Sequence, residues 1–172
     1  PASVTAFGQY VIWKCQFLHT VKFEETNSQL KLIGTDAFQQ ENNHSQLTSI
    51  IIPPAVTQIG TAAFYRQFKL TSITLPEGLK RISGNAFALN QALVYISIPS
   101  TVTYVGSSSF SGSEALRTVA LEDGQLGFAS PASNVRFGGR WINTVLPNTV
   151  TYYTNNGIKT ATFDGYGELT DA

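Results

Sequence analysis

At 172 residues with 42% hydrophobic content, the chain is long enough for one well-buried domain, and one domain over 1–172 is expected. Eleven basic residues balance eleven acidic ones, which leaves no electrostatic case for nucleic acid or for insertion into an anionic membrane. Only 13% of residues are charged, and Ser, Thr, Asn and Gln supply the polar surface in the manner of an extracellular or cell-surface protein.

The chain starts at a proline and contains no methionine, as a processed product or an excised piece of a larger protein would. Its longest apolar run falls far short of the ~20 residues of a spanning helix. In the first coil, Val4, Phe7, Gly8, Val11, Ile12, Cys15, Leu18, Val21 and Phe23 stand at spacings that later coils repeat, and a strand is expected over 20–23. The coil has no polar or helical cap, so either further repeats precede it or Trp13 and Phe17 cover its end. Cys15 has no partner for an intrachain disulfide and is expected buried and inert. Residues 24–52 read as a second coil with insertions around Glu24 to Gln29 and Gln39 to Gln46, which become surface loops. The second contains Asn43-His44-Ser45, a chance match or, in a eukaryote, a glycosylation acceptor.

From Leu47 to Phe110 one phrase is written three times: LTSIIIPPAVTQIGTAAF, LTSITLPEGLKRISGNAF and LVYISIPSTVTYVGSSSF. Leu47, Leu70, Leu93 and Leu116 share a constant spacing, as do Ile50, Ile73, Ile96 and Val119, and a period of ~23 residues predicts a solenoid. In L-x-x-I-x-I the apolar residues alternate with polar or variable ones, as in a strand buried on one face, so Ile50 and Ile52 point inward and Ser49 and Ile51 outward. Strands are expected over 49–52, 72–75, 95–98, 118–121 and 143–146, paired in parallel. Proline ends each strand because it cannot donate to the ladder. The glycine of V-x-x-I-G reads as a bend with positive φ, and the closing A-F as a single helical or 3₁₀ turn. Each unit buries its apolar side chains only against copies of itself, so stability lies in the stacking.

Regular coils run over 1–121, and 122–146 reads as a degenerate coil with Trp141, Thr144 and Leu146 on the L-x-x-I-x-I positions. The register fails after Tyr153, and V-T-Y-Y-T-N, Asn156-Gly157 and I-K-T-A-T-F read as a hairpin or truncated coil, a candidate C-terminal cap over 147–163. The tail 164–172 carries no pattern that assigns it, and is expected to be partly mobile.

With L-T-S-I-x-I-P-x-x-V-T-x-I-G-x-x-A-F in view, the repeat resembles the BspA-like leucine-rich repeats of bacterial and protozoan surface proteins, over most of the chain. The resemblance implies a mostly β, α/β-class repeat: a right-handed leucine-rich repeat solenoid with one short parallel strand per coil and little helix. It also implies adhesion to a protein partner, such as a host or extracellular-matrix protein. In that family a cysteine commonly follows the phenylalanine by three residues. Here the row holds Cys15, His44, Gln67, Asn90 and Ser113, so a ladder of thiols is absent, and Gln67 and Asn90 are placed to bond backbone groups in the bend.

Catalysis finds little to work with. His19 and His44 are the only imidazoles, the serine-rich Ser107 to Ser113 lacks G-x-S-x-G, and the carboxylate pairs Glu24-Glu25 and Glu122-Asp123 are local. The group Asp164, Glu168 and Asp171 lacks the alternating ligands of a calcium loop. No catalytic residue, metal site or cofactor is assigned, and the chain reads as non-enzymatic.

Surface recognition remains. The outward strand rows are Thr20, Ser49, Ser72, Tyr95, Thr118 and Asn143, with Lys22, Ile51, Thr74, Ser97, Ala120 and Val145 beside them. Trp13, Phe17, Tyr65 and Phe68 lie in the bends, and Tyr104 and Tyr152 share another row. The candidate binding residues are Tyr95, Ile51, Ser72 and Thr74 on the strands with Trp13, Phe17, Tyr65, Phe68 and Tyr104, though some rings can serve simply to roof the core. A protein ligand is the first reading. A glycan ligand, or a spacer accessory to a larger surface protein or enzyme, is the alternative.

Overall fold

The computed structural model describes residues 3–23, 27–41, 44–106, 108–116, 118–121, 149–154 and 157–162, the last three stretches through their backbone. Among these the chain forms strands and no helix: β1 (Ala6–Phe7), β2 (Leu32–Ile33), β3 (Ser49–Ile51), β4 (Gln58–Ile59), β5 (Ser72–Thr74), β6 (Arg81–Ile82), β7 (Tyr95–Ile98), β8 (Tyr104–Val105), β9 (Thr118–Leu121), β10 (Thr149–Thr154) and β11 (Gly157–Thr162).

The repeat period is the strand register. β3 pairs with β5 in parallel as Ser49↔Ser72, Ile50↔Ile73 and Ile51↔Thr74, and β7 pairs with β9 as Tyr95↔Thr118 and Ile96↔Val119. Ile50, Ile52, Ile73 and Ile96 are buried and Ser49, Ile51, Ser72 and Tyr95 exposed, which is the alternation expected of a sheet with one face in the core. Thr149–Thr154 and Gly157–Thr162 form an antiparallel hairpin, one of the two forms expected there, and β10 also joins β9 in parallel at Thr151↔Thr118. The expected strand over 143–146, the residues Trp141, Thr144 and Leu146, the degenerate coil and the tail lie outside the described residues.

Two expectations about strands are corrected. Each coil contributes a second strand, because the residues before the glycine are extended and stack into a parallel sheet ordered β1-β2-β4-β6-β8. Only two residues long each, these strands hold too few positions for an alternation to show. Conversely, no strand forms over 20–23. Nine positions separate Phe38 from Leu47 where six separate Phe64 from Leu70, and this longer bend carries β3 out of register with the first coil.

The A-F segment is not a helical turn. It is a third ladder of backbone bonds between coils: Asp36 N–H donates to Thr61 O, Phe38 to Ala63 and Gln40 to Tyr65, and Ala62, Phe64 and Arg66 donate to Gly84, Ala86 and Ala88 one coil on. Alternate residues of a straight helix do not all donate to one side. Here they do, because left-handed residues recur four apart: Tyr10, Asp36, Ala62, Asn85 and Ser108 in one row, Lys14, Arg66, Leu89 and Gly112 in the next. The recurring bend glycines Gly34, Gly60 and Gly106 are therefore not the positive-φ positions. Gly34 and Gly60 are small because successive backbones touch there: a Cβ on Gly60 would lie 2.6 Å from the Gly34 carbonyl carbon, and one on Gly34 2.6 Å from Phe7 O.

The core fills the space between these three ladders. Phe38, Phe64, Phe87 and Phe110 form a column of nearly parallel rings with centroids 4.9, 5.5 and 5.6 Å apart, all fully buried. Beside it runs a buried polar column. Ser45 Oγ donates to Gln67 Oε1 at 2.5 Å, Gln67 N–H to Asn90 Oδ1 at 3.0 Å and Asn90 N–H to Ser113 Oγ at 3.2 Å. Gln67 Nε2 and Ser113 Oγ each return a bond to the carbonyl of an earlier phenylalanine, Phe38 and Phe87. The backbone bonding expected of Gln67 is thus present, and Asn90 receives a backbone donor. The register shifts by one in the second coil: Ser45, not His44, enters the column, and His44 is exposed.

Candidate functional site

The first coil departs from its copies where side chains meet solvent. Val4, Phe7, Ile12, Leu18, Val21 and Phe23 take the core positions but are only partly buried, since among the described residues they pack on one side alone. The same one-sided stacking corrects the expectation for Cys15, whose thiol is exposed although Gln67, Asn90 and Ser113 on its row are buried. Trp13 and Phe17 do not cover the end either: they are 36% and 82% exposed.

These two rings belong to a patch. Of the seven large apolar side chains exposed among the described residues, Tyr10, Val11, Trp13 and Phe17 fall within eight positions of one coil. Val11 is exposed through the same one-sided stacking, for Ala37, Ala63 and Ala86 on its row are buried. The aromatic residues need another reason. Elsewhere the Tyr10 row holds Asp36, Ala62 and Asn85 and the Phe17 row Lys69, Ala92 and Ala115, none of them buried, whereas the Trp13 row holds Gln39, Tyr65 and the buried Ala88. Exposed apolar side chains gathered at one place are the usual mark of an interaction surface.

The patch has ring and charge contacts of its own. Tyr10 and Trp13 have ring centroids 5.1 Å apart, tilted by 49°, and Lys14 Nζ sits 3.8 Å from the Trp13 ring centre while pairing with Glu41 Oε2 at 2.8 Å. Arg66 reaches the same loop, donating from Nη1 to Glu41 O at 2.9 Å, and its guanidinium lies 5.2 Å from the Tyr65 ring. Burial raises the Asp36 carboxyl above the ordinary aspartate range, partly opposed by side-chain hydrogen bonds from Tyr10 and Gln9. Tyr65 and Phe68 are half-buried, so of the bend aromatics Trp13 and Phe17 are the exposed ones.

The strand-face candidates are dispersed. Ile51 and Tyr95 are exposed at 61% and 48%, with Val94 beside Tyr95, but they stand two coils apart with exposed Ser72 and Thr74 between them. Tyr104 is on the other sheet, half-buried with Arg81 3.7 Å over its ring. Asn143, Val145 and the acceptor Asn43 lie outside the described residues, as do the side chains of Thr118, Ala120 and Tyr152. Ser45, the hydroxyl residue of that acceptor sequence, is buried in the polar column. What sequence reading missed was Tyr10 and Val11. The outward row through Asp36 and Asn85 was a signal available for Tyr10, but Val11 is visible only once the stack is seen to be one-sided.

His19 is exposed, and no group of three or more His, Cys, Asp or Glu able to hold a metal ion occurs among the described residues. No helix among them is long and apolar enough to cross a membrane.

No known family model matches the chain, and no curated protein matches it. Among solved structures it is similar to the pneumococcal vaccine antigen PcpA, at 23% identity and a TM-score of 0.53 over 76% of this chain and 35% of that one. It is similar also to a leucine-rich cell surface protein from Faecalibacterium prausnitzii A2-165, at 24% identity and a TM-score of 0.57 over 94% of this chain and 43% of that one. At these identities the likeness is one of fold, and this chain spans less than half the length of either. Parallel strands stacked coil on coil and this likeness together make the fold a leucine-rich repeat solenoid.

Proposed function

We propose that this chain is a non-enzymatic recognition module of a secreted or cell-surface protein and binds a protein partner through the solenoid surface, with Tyr10, Trp13 and Phe17 as its centre. The observation that supports this is the gathering of three exposed aromatic side chains on one coil, Phe17 above all at 82% exposure. Burying a phenylalanine side chain that now faces water is worth roughly 1.5–3 kcal/mol to an interface. Trp and Tyr are the residue types that most often dominate binding energy. A solved neighbour of the same fold is named as a cell surface protein, which agrees with the proposed location. Adhesion of the BspA-like kind would be one instance of this role.

A glycan reading would call for a flat ring platform. The exposed Tyr10 and Trp13 rings are tilted instead, and Lys14 occupies one face of the indole. A binding screen against extracellular-matrix proteins run in parallel with a glycan array tests the proposal. Protein binding is expected, with Phe17→Ala and Trp13→Ala each weakening it by about 2 kcal/mol or more, as hot-spot residues do, and Tyr95→Ala weakening it less. Binding confined to glycans, or protein binding untouched by these substitutions, would overturn it.

A further inference from the structure

On the sheet built from β1, β2, β4, β6 and β8, the outward residues differ in character from those of the other ladders. The residue opening each coil's segment is, in order, Thr5, Lys31, Thr57, Lys80 and Thr103, so lysine and threonine alternate from one coil to the next. Lys31 and Lys80 are exposed, and two coils place them about 9–10 Å apart at the ordinary strand spacing. The threonine following each lysine along the stack is tied back to it: Thr57 Oγ1 donates to Lys31 O at 3.2 Å and Thr103 Oγ1 to Lys80 O at 3.3 Å.

The neighbouring column, Gln58↔Arg81↔Tyr104, adds a third cation. Arg81 is exposed, and its guanidinium carbon lies 3.7 Å from the centre of the Tyr104 ring, a stacking that holds the planar fork against the sheet. No acidic residue stands in either column, and Lys31, Lys80 and Arg81 make no ion pair with a described acid. These cations thus lie in two neighbouring columns without a described acid in either, whereas near the turn ladder Lys14 pairs with the Glu41 carboxylate and Arg66 donates to the Glu41 backbone carbonyl.

We infer that this sheet face is a second binding surface, distinct from the aromatic patch, and that its ligand is a linear polysaccharide bearing sulfate or carboxylate groups. Charge complementarity fixes the sign of the ligand. The row of cations along the stack suits an extended polymer lying across coils. Each strand between β1 and β8 already has a neighbour on both sides, so the face offers side-chain donors and no strand edge to which a peptide could add. Gln58, exposed between Lys31 and Arg81, contributes an amide donor at the middle of the row.

The test is binding of the chain to immobilised dextran sulfate, carboxymethyl dextran and neutral dextran, with polyglutamate and single-stranded DNA as other polyanions. Binding to one or both charged dextrans and not to the neutral one is expected, weakening with salt with a log–log slope of roughly 2 to 3 if the three cations displace counter-ions. The triple variant Lys31→Gln, Lys80→Gln, Arg81→Gln should lose about ten-fold or more in affinity, while Lys14→Gln with Lys69→Gln, which removes charge elsewhere, should change it by less than about two-fold. Circular dichroism of both variants verifies that they are folded. Equal loss in the two variants, binding to neutral dextran as tight as to the charged forms, or absence of binding to either charged dextran would overturn the inference. Tighter binding to polyglutamate or DNA would also overturn it, in favour of an acidic protein or a nucleic acid. Phe17→Ala should leave dextran binding unchanged, which keeps the result separate from that for the aromatic patch.

Discussion

Gly60 and Ala62 stand two positions apart and make opposite demands. A side chain at Gly60 meets the Gly34 backbone at 2.6 Å, so Gly60→Ala forces neighbouring coils apart and should destabilise by about 1–3 kcal/mol in thermal or urea unfolding. Ala62 is held at φ 51°, a left-handed conformation that disfavours a Cβ, so Ala62→Gly should be neutral or stabilising by up to about 1 kcal/mol. Reading glycine as the marker of positive φ would also predict a loss at Gly60, through strain rather than a backbone clash, but no gain at Ala62. Asp36, on the Ala62 row at φ 54°, adds a charge. Its folded pKa is raised by burial, so the folded state holds the proton more tightly than the unfolded chain. This contribution is fully present below the ordinary aspartate value of about 3.9 and is lost as pH rises through the higher folded value. Asp36→Asn should therefore melt above the parent at neutral pH, with the gap closing toward pH ~3. A gap that stayed constant with pH would assign the effect to the backbone conformation alone.

The ring column and the polar column run side by side, and both are sensitive to the loss of one member. Phe87 stacks on Phe64 and Phe110 and is fully buried, so Phe87→Ala should cost about 3–5 kcal/mol in chemical denaturation, against less than about 0.5 for the exposed Ser72→Ala. Asn90→Ala removes the acceptor of Gln67 N–H and should cost about 1–3 kcal/mol. The cost is reduced to the extent that the Asn90 amide nitrogen, buried without a hydrogen-bond partner, is removed too. The ring column was legible in the sequence because Phe64, Phe87 and Phe110 recur at a constant spacing, and the inward strand residues because Ile50, Ile73 and Ile96 do. The second sheet was not, since two residues per strand cannot display a period of two. Nor was the turn ladder: its left-handed residues are Tyr, Asp, Ala, Asn and Ser in one row and Lys, Arg, Leu and Gly in the next, sets with no common side-chain signature. The aromatic site was half legible. Trp13 and Phe17 are candidates from their place in the bends, but that they are more exposed than Tyr65 and Phe68 shows only in the packed coils.

Across the stack the three ladders are not equally continuous. The sheet of short strands runs unbroken from β1 to β8, and the turn ladder passes from Phe64 N–H to Ala86 O and from Phe87 N–H to Ser109 O. On the longer-strand face, β3 pairs with β5 and β7 with β9, yet β5 and β7 lie side by side without a ladder. Ile52 N–H donates to Thr74 O and Ser72 N–H to Thr48 O, and the equivalent donors one coil later are those of Leu75 and Tyr95, for which no such bond is formed. A stack whose coils couple only to neighbours should reveal such a seam in local opening rather than in global stability. In native-state hydrogen exchange, the Leu75 and Tyr95 amides should therefore exchange faster than those of Ile52 and Ser72, their counterparts one repeat earlier. The amides of Phe64 and Phe87, which cross the same coils through the turn ladder, should exchange only with global unfolding. Protection at Leu75 and Tyr95 equal to that at Ile52 and Ser72 would mean the longer-strand face is one continuous sheet. Slow exchange at Phe64 and Phe87 beside fast exchange at the seam would instead place the cooperative unit in the ring column and turn ladder, and leave the strand face carrying Tyr95 free to open locally against a partner.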